Sequence, residues 1–219
     1  MKLEAVLFDL DGTLIDTAAD FVATLAILCA RHNVNCPSDT HIRNTVSNGA
    51  RALVTLAFDI DESNQKFAPL RQELLDIYET ELGKNACLFD EVKPSLRWLK
   101  ERNISWGIVT NKPRLYTELL LSRMGITPAA VVCPDDVTHT KPNPEPILLA
   151  CKQLSVHAEN CLYAGDHERD IEAGKNANMQ TIACEWGYIA NGIDIDAWQA
   201  HFNVKNTQQL LSVIENFTA

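Results

Sequence analysis

The chain has 219 residues, 46% hydrophobic and 22% charged. These proportions exclude a disordered or fibrous chain and suffice for one well-buried domain or one domain carrying a smaller insertion. The formal net charge of -10 excludes a broadly basic nucleic-acid face, so any anion would be bound through a local device such as a metal ion, a lysine or a helix N-terminus.

The first element is a continuous apolar run, "EAVLFD" at 4–9, the pattern of a strand covered on both faces. It ends in Asp9, with Asp11 and Gly12 directly after. From about Ala18 to Leu82 the pattern is helical: "AADFVATLAILCARH", "GARALVTLAF" and "FAPLRQELLDIYETEL" carry apolar residues at helical spacing, and Pro37, Asn48–Gly49 and Pro69 punctuate them. After Leu88 helices and strands alternate. "KPSLRWLKERN" precedes "ISWGIVTN", "PRLYTELLLSRMG" precedes "AAVVCP", "PEPILLACKQL" precedes "ENCLYAGD", and "ERDIEAGKNAN" precedes "MQTIACEWG". This order implies right-handed βαβ units and a parallel sheet. The expected fold class is therefore α/β, a Rossmann-like parallel-sheet core of residues 1–16 and 88–219 with an inserted helical domain at 17–87.

The seven cysteines form an odd set with no C-x-x-C pair, and most lie in apolar runs. They read as buried, reduced thiols, not a disulfide framework or a zinc site. The N-terminus shows no signal-peptide pattern, and no apolar run approaches the roughly 20 residues of a membrane span. A soluble, cytoplasmic protein is expected, a monomer or homodimer, with no nucleic-acid or membrane partner.

Ligands of an open α/β sheet bind beyond the carboxyl ends of its strands. Asp9, Thr110 and Asp166 each close a strand there, and Lys141 lies in the loop after another. Asp9, Asp11, Asp166 and Asp170 would converge, and like charges in one cleft repel unless a cation joins them. Mg²⁺, which favours carboxylates, waters and phosphate oxygens, resolves the conflict. Taken alone, "GDHERD" reads better as a helix cap, with Asp166 capping the helix that follows; all four aspartates at strand ends together do not. An EF-hand is excluded, because Leu14 stands at its glycine position and Asp20 at its glutamate position. A phosphate beside the metal would take a hydroxyl from Thr110 and charge from Lys141, and Gly12 would let backbone N–H groups turn toward it.

These residues resemble the haloacid dehalogenase (HAD) superfamily of phosphohydrolases. "DLDGT" is similar to its first motif, Thr110 in "VTNK" to its second, Lys141 in "TKPNPEP" to its third and "GDHERD" to its fourth, in the family's order. The helical block is similar to the family's small cap domain. The resemblance implies that Asp9 is the nucleophile, forming an aspartyl-phosphate, and that Asp11 protonates the leaving oxygen and later activates water. It places Mg²⁺ on Asp9, the Asp11 carbonyl and Asp166, with Asp170 as a further ligand or orienting group. Thr110 and Lys141 join Asp9 and Asp11 as catalytic residues, and Gly12, Thr13 and Asn111 are expected around the phosphate. A dehalogenase of this superfamily needs neither a second aspartate nor Mg²⁺, so Asp11 favours phosphoryl chemistry.

In the insertion, Asn48, Gly49 and Ala50 suit a helix N-terminus, and Arg43 and Arg51 suit a substrate carboxylate, although both equally suit a solvated surface. "SNGARAL", "CPDDV", "KPNPEPILLACKQL" and "EWGYI" resemble the phosphoglycolate-phosphatase-like subfamily, most of all the N-acetylmuramic acid 6-phosphate phosphatases of bacterial cell-wall recycling. The resemblance therefore implies a small acidic phosphorylated metabolite as substrate, the sugar acid phosphate before 2-phosphoglycolate. Trp186 and Tyr188 suit core packing or sugar stacking. His167 lies within motif four, and no histidine pair has metal-ligand spacing. A sugar phosphomutase of the same fold shares every core residue. A phosphonate hydrolase would need a cap lysine, with Lys66 and Lys84 the candidates, and a binding module without activity would have no need of Asp9 and Asp11.

Overall fold

The computed structural model describes residues 2–217. In chain order the first elements are β1 (Ala5–Phe8), β2 (Ile15–Asp16), α1 (Ala18–Arg31), α2 (Asp39–Thr45), α3 (Gly49–Phe58), α4 (Phe67–Glu81) and β3 (Cys87–Leu88). Then follow α5 (Lys93–Glu101), β4 (Ser105–Val109), α6 (Arg114–Met124), β5 (Ala130–Val132) and α7 (Glu145–Leu154). The last are β6 (Cys161–Gly165), α8 (Glu168–Asn176), β7 (Gln180–Cys184), β8 (Phe202–Val204) and α9 (Thr207–Phe217). The chain divides into two compact units: the described residues up to Ile15 and from Leu88 onward form one, and Asp16–Cys87 the other.

The first unit is α/β. Its six strands run in the order β5-β4-β1-β6-β7-β8, and every neighbouring pair is parallel. All four residues of β1 are buried because the strand lies in the middle with layers on both faces. On one face Leu7, Val109 and Tyr163 pack with Ile147 and Ala150 of α7 and Ala173 of α8. Strand alternation sends Phe8 to the opposite face, where its ring meets the edge of Trp106 at 6.3 Å between centroids. Sequence periodicity marks five strands in this unit; the sixth, β8, is a three-residue strand at the sheet edge.

From β1 the chain runs outward through β4 to β5, then returns to the other side of β1 for β6, β7 and β8. The order thus reverses at β1, and the crevice at such a reversal lies over the carboxyl ends of β4, β1 and β6. Register brings those ends level, with Phe8 opposite both Ile108 and Ala164.

The second unit is helical. In α1, Phe21 stacks on Tyr78 of α4 with centroids 4.1 Å apart, and Leu25, Leu28, Ile42, Leu53 and Leu74 are buried around them. α2, which has no strong apolar period, starts from Ser38, whose side chain accepts from the His41 N–H. Asp20, fully buried in the first turn of α1, accepts from the N–H groups of Gly83 (2.6 Å) and Asn85 (2.8 Å). β2 and β3 form a separate two-stranded sheet.

Candidate active site

Asp9 follows the last residue of β1, held there by its own N–H, which donates to the Ala164 carbonyl at 2.8 Å. Lys141 reaches the same place from the loop after β5. Its Nζ lies 2.7 Å from Asp9 Oδ1 and 2.7 Å from Asp170 Oδ1. It also donates to the Val109 carbonyl (2.9 Å) and to the Tyr163 hydroxyl (2.8 Å), which in turn donates to Val109 (2.9 Å). Burial works against the ammonium charge, but Asp170 and Asp9 outweigh it and hold Lys141 above its usual value.

Asp166 follows β6, where its Oδ1 accepts from Thr13 Oγ1 (3.0 Å) and its Oδ2 from the Tyr188 N–H (2.8 Å). Asp170 sits one turn into α8, and its Oδ2 accepts from the His167 N–H at 3.1 Å, the reciprocal half of a helix cap formed by His167. Carboxylate oxygens of Asp9, Asp166 and Asp170 all lie within 4.8 Å of one another. Burial, reinforced by the neighbouring carboxylates, pushes Asp166 up to about 8. Burial likewise raises Asp9, to about 6, although Lys141 opposes it. Acidic groups thus crowd around one buried ammonium, and Asp9 and Asp166 take a proton readily unless more positive charge arrives. An all-oxygen donor set with this excess of negative charge fits a hard divalent cation.

Asp11 belongs to a different constellation. Its carboxylate is turned to Lys112, whose Nζ lies 2.9 Å from Oδ1 and 3.2 Å from Oδ2. Its side chain is absent from the three-carboxylate cluster. Thr110 closes β4, and its Oγ1 accepts from the Lys112 N–H at 3.1 Å, so the hydroxyl proton remains to donate elsewhere.

Gly12, Thr13 and Asn111, expected around a phosphate, hold other parts of the site. Thr13 orients Asp166 as described, and its carbonyl accepts from Trp186 Nε1 at 3.1 Å. Gly12 donates its N–H to the Ile15 carbonyl (3.0 Å), and its backbone lies at φ +86°. Asn111 exchanges two hydrogen bonds with the backbone of Lys141, Nδ2 to the carbonyl (3.1 Å) and N–H to Oδ1 (3.2 Å). Tyr188 is buried, in line with core packing.

The helical unit carries the remaining candidates. Arg43 Nη1 meets both oxygens of Asp16, at 3.0 and 2.9 Å, and Asp16 also accepts from the Ala18 N–H. Arg51 pairs with Glu62 at 2.9 Å, with both side chains mostly exposed. Asn48 closes a short 3-10 turn and Gly49, at φ +74°, opens α3.

Two site residues carry no assignment from sequence. Lys112 stands in the quoted "VTNK" two residues after Thr110, but a lysine there is indistinguishable from a solvated one without the fold. Tyr163 alternates in register with the apolar residues of β6 and gives no polar signal.

Comparison with known proteins follows the same division. Residues 6–184 match the model of the family described as haloacid dehalogenase-like hydrolase. An N-acetylmuramic acid 6-phosphate phosphatase from Pseudomonas aeruginosa is 39% identical over 98% of this chain and 96% of its own length. A phosphoglycolate phosphatase from Xanthomonas campestris pv. campestris is 39% identical over 94% of each chain. A crystal structure described as a predicted phosphoglycolate phosphatase, from Haemophilus somnus, superposes with a TM-score of 0.84 at 21% identity, covering 98% of this chain and 99% of that one, which bears on the fold. Among the described residues no helix is long and apolar enough to cross a membrane. The chain belongs to the haloacid dehalogenase-like hydrolases, and the relatives it matches along nearly its whole length are phosphatases.

Proposed function

We propose that this protein is a Mg²⁺-dependent phosphomonoesterase that hydrolyses a small phosphorylated acid through an aspartyl-phosphate on Asp9. The observation that carries the reading is the cluster at the reversal of the sheet, where Asp9, Asp166 and Asp170 bring their carboxylates together and Lys141 pairs with Asp9 and Asp170. Asp9, Asp166 and Asp170, with the Asp11 backbone carbonyl that the family resemblance implies, would hold the ion. When bound, Mg²⁺ supplies the positive charge that lets a phosphate dianion approach a carboxylate.

The chain's own residues do the rest. An Asp9 oxygen attacks phosphorus as the bond to the ester oxygen breaks, and Asp11 gives that oxygen its proton. Water then attacks the aspartyl-phosphate, Asp11 takes the water proton, and Asp9 is released with inorganic phosphate. Lys141 offsets charge on Asp9 and on the transferring group, and the Thr110 hydroxyl donates to a phosphate oxygen. Asn111 and Tyr163 keep the lysine in place through the bonds described above.

The substrates proposed are N-acetylmuramic acid 6-phosphate first and 2-phosphoglycolate second. Relatives named for each are equally similar at 39%, and the match to the first covers slightly more of the chain, 98% against 94%. Both compounds carry a carboxylate, for which an arginine of the helical unit is the proposed partner. A panel of phosphorylated metabolites with Mg²⁺ tests the reading: phosphate release should require the metal and vanish in Asp9→Asn. Full activity in that variant or in excess chelator would overturn the mechanism, and stable transfer of the phosphoryl group to a sugar would identify a mutase instead.

A further inference from the structure

Lys112 is almost completely buried, its side chain 5% exposed, and its ammonium is paired with Asp11, outside the three-carboxylate cluster, while the chemistry above gives it no task. Its backbone is fixed at both ends. The N–H donates to Thr110 Oγ1 (3.1 Å), and the carbonyl accepts from Thr117 Oγ1 in α6 (3.2 Å). From that base the side chain crosses from the end of β4 to the turn after β1 and meets both oxygens of Asp11. Burying an ammonium costs several kcal/mol unless a charged partner compensates it, and a methionine would serve packing at less cost.

We propose that Lys112 is a positioning residue that holds the Asp11 carboxylate where it exchanges a proton with the leaving-group oxygen. The proposal rests on the role given to Asp11 above. Asp11 sits in a turn beside a glycine, with its side chain 19% exposed, and two contacts from an anchored cation favour one orientation of its carboxylate. When Asp11 has given its proton to the departing oxygen, the carboxylate it becomes is already paired, and it remains oriented for the water that follows.

Leaving groups of different basicity provide the test. An alkyl phosphate needs the proton as its ester bond breaks, whereas 2,4-dinitrophenyl phosphate leaves well without it. Values of kcat/KM, which report the steps through leaving-group departure, should fall in Lys112→Met by about 10–100-fold for the alkyl substrate, within the range a general acid contributes. For 2,4-dinitrophenyl phosphate the fall should stay within about threefold on the same grounds. Asp11→Asn should show the same steepening in fuller form, and Lys112→Arg should recover much of the loss. If Lys112→Met does not fold, judged by its melting curve, Lys112→Gln carries the same expectation.

Equal losses for both substrates would overturn the proposal and leave Lys112 a structural residue. A rise in KM confined to carboxylate-bearing substrates, whatever their leaving group, would overturn it in favour of direct substrate recognition. If Asp11→Asn itself lacks the steepening, the acid role of Asp11 fails and the proposal falls with it, a result separable from steepening in Asp11→Asn but not in Lys112→Met.

Discussion

Asp166 is wedged between two glycines. A Cβ on Gly12 would lie 2.2 Å from its Oδ2, and one on Gly187 would lie 2.1 Å from its Cβ, so neither position admits a larger residue without moving the carboxylate. Gly12 is also at φ +86°, where any side chain adds strain of about 1–3 kcal/mol. Gly12→Ala should therefore lower the melting temperature by about 2–12 °C, and displacement of Asp166 should weaken Mg²⁺ binding by about tenfold or more. Titration of the ion by calorimetry checks it; unchanged affinity would show that Asp166 tolerates the shift. The two arginines of the helical unit differ in the same concrete way. Arg43 would have to leave a two-oxygen contact with Asp16, whereas Arg51 is tied only to an exposed glutamate, a pair worth about 0–1 kcal/mol. Arg51 is thus the arginine we propose as the partner of a substrate carboxylate. Arg51→Ala should raise KM for an acidic substrate by up to about fivefold and leave p-nitrophenyl phosphate nearly unchanged, since one exposed charge pair is worth up to about 1 kcal/mol; equal effects on both would remove its specificity role.

At the scale of elements, the legible parts were those with a strong local period. β1, β4 and β6 read as strands because a strand covered on both faces is apolar throughout, and their last residues mark where polar chemistry begins. α2 and β8 were not legible: the first is seven residues with a single buried apolar side chain, Ile42, begun by a serine cap, and the second is three residues paired at the sheet edge with β7. α9 did leave a signal, Leu210 and Ile214 at helical spacing, both buried. Within the site, aspartates at strand ends announce themselves, whereas Thr13 and Asn111 hold Asp166 and Lys141 through contacts spanning 153 and 30 residues, which no local pattern encodes. Asp20 illustrates the same limit. It reads as a first-turn acid on α1, favourable to the helix dipole, but its weight lies in accepting the N–H groups of Gly83 and Asn85, 63 and 65 residues away. Asp20→Ala strands both donors at about 1–3 kcal/mol each and should lower the melting temperature by about 4–24 °C. Asp20→Asn, which retains an acceptor, should lose less, and a melting curve for Asp20→Ala matching the unmodified protein would refute this account.

For the whole molecule, the clustered carboxylates link folding, metal binding and pH. In the metal-free fold burial raises Asp9 from 3.8 to about 6 and Asp166 from 3.8 to about 8. A carboxyl group whose folded value lies above its unfolded one contributes stability that is fully present below about pH 4 and is lost as pH climbs through the folded value. The metal-free protein should therefore lose stability progressively above about pH 4, the part owed to Asp9 being gone by about pH 6 and that owed to Asp166 by about pH 8, while Lys141, held above its usual 10.5, stays charged throughout. Mg²⁺ bound there would replace those protons, so its binding should release them and tighten as pH rises. At an ion concentration about 100 times its dissociation constant, binding adds about 2.7 kcal/mol, a rise in melting temperature of about 5–11 °C for a chain of this size. Melting curves with and without Mg²⁺ should show that rise near pH 8.5 and little of it near pH 5, where Asp9 and Asp166 keep their protons. Asp166→Asn should abolish most of the difference between the two pH values. Equal Mg²⁺ shifts at pH 5 and 8.5 would mean that the ion binds elsewhere, and the excess of negative charge at the reversal of the sheet would need another partner.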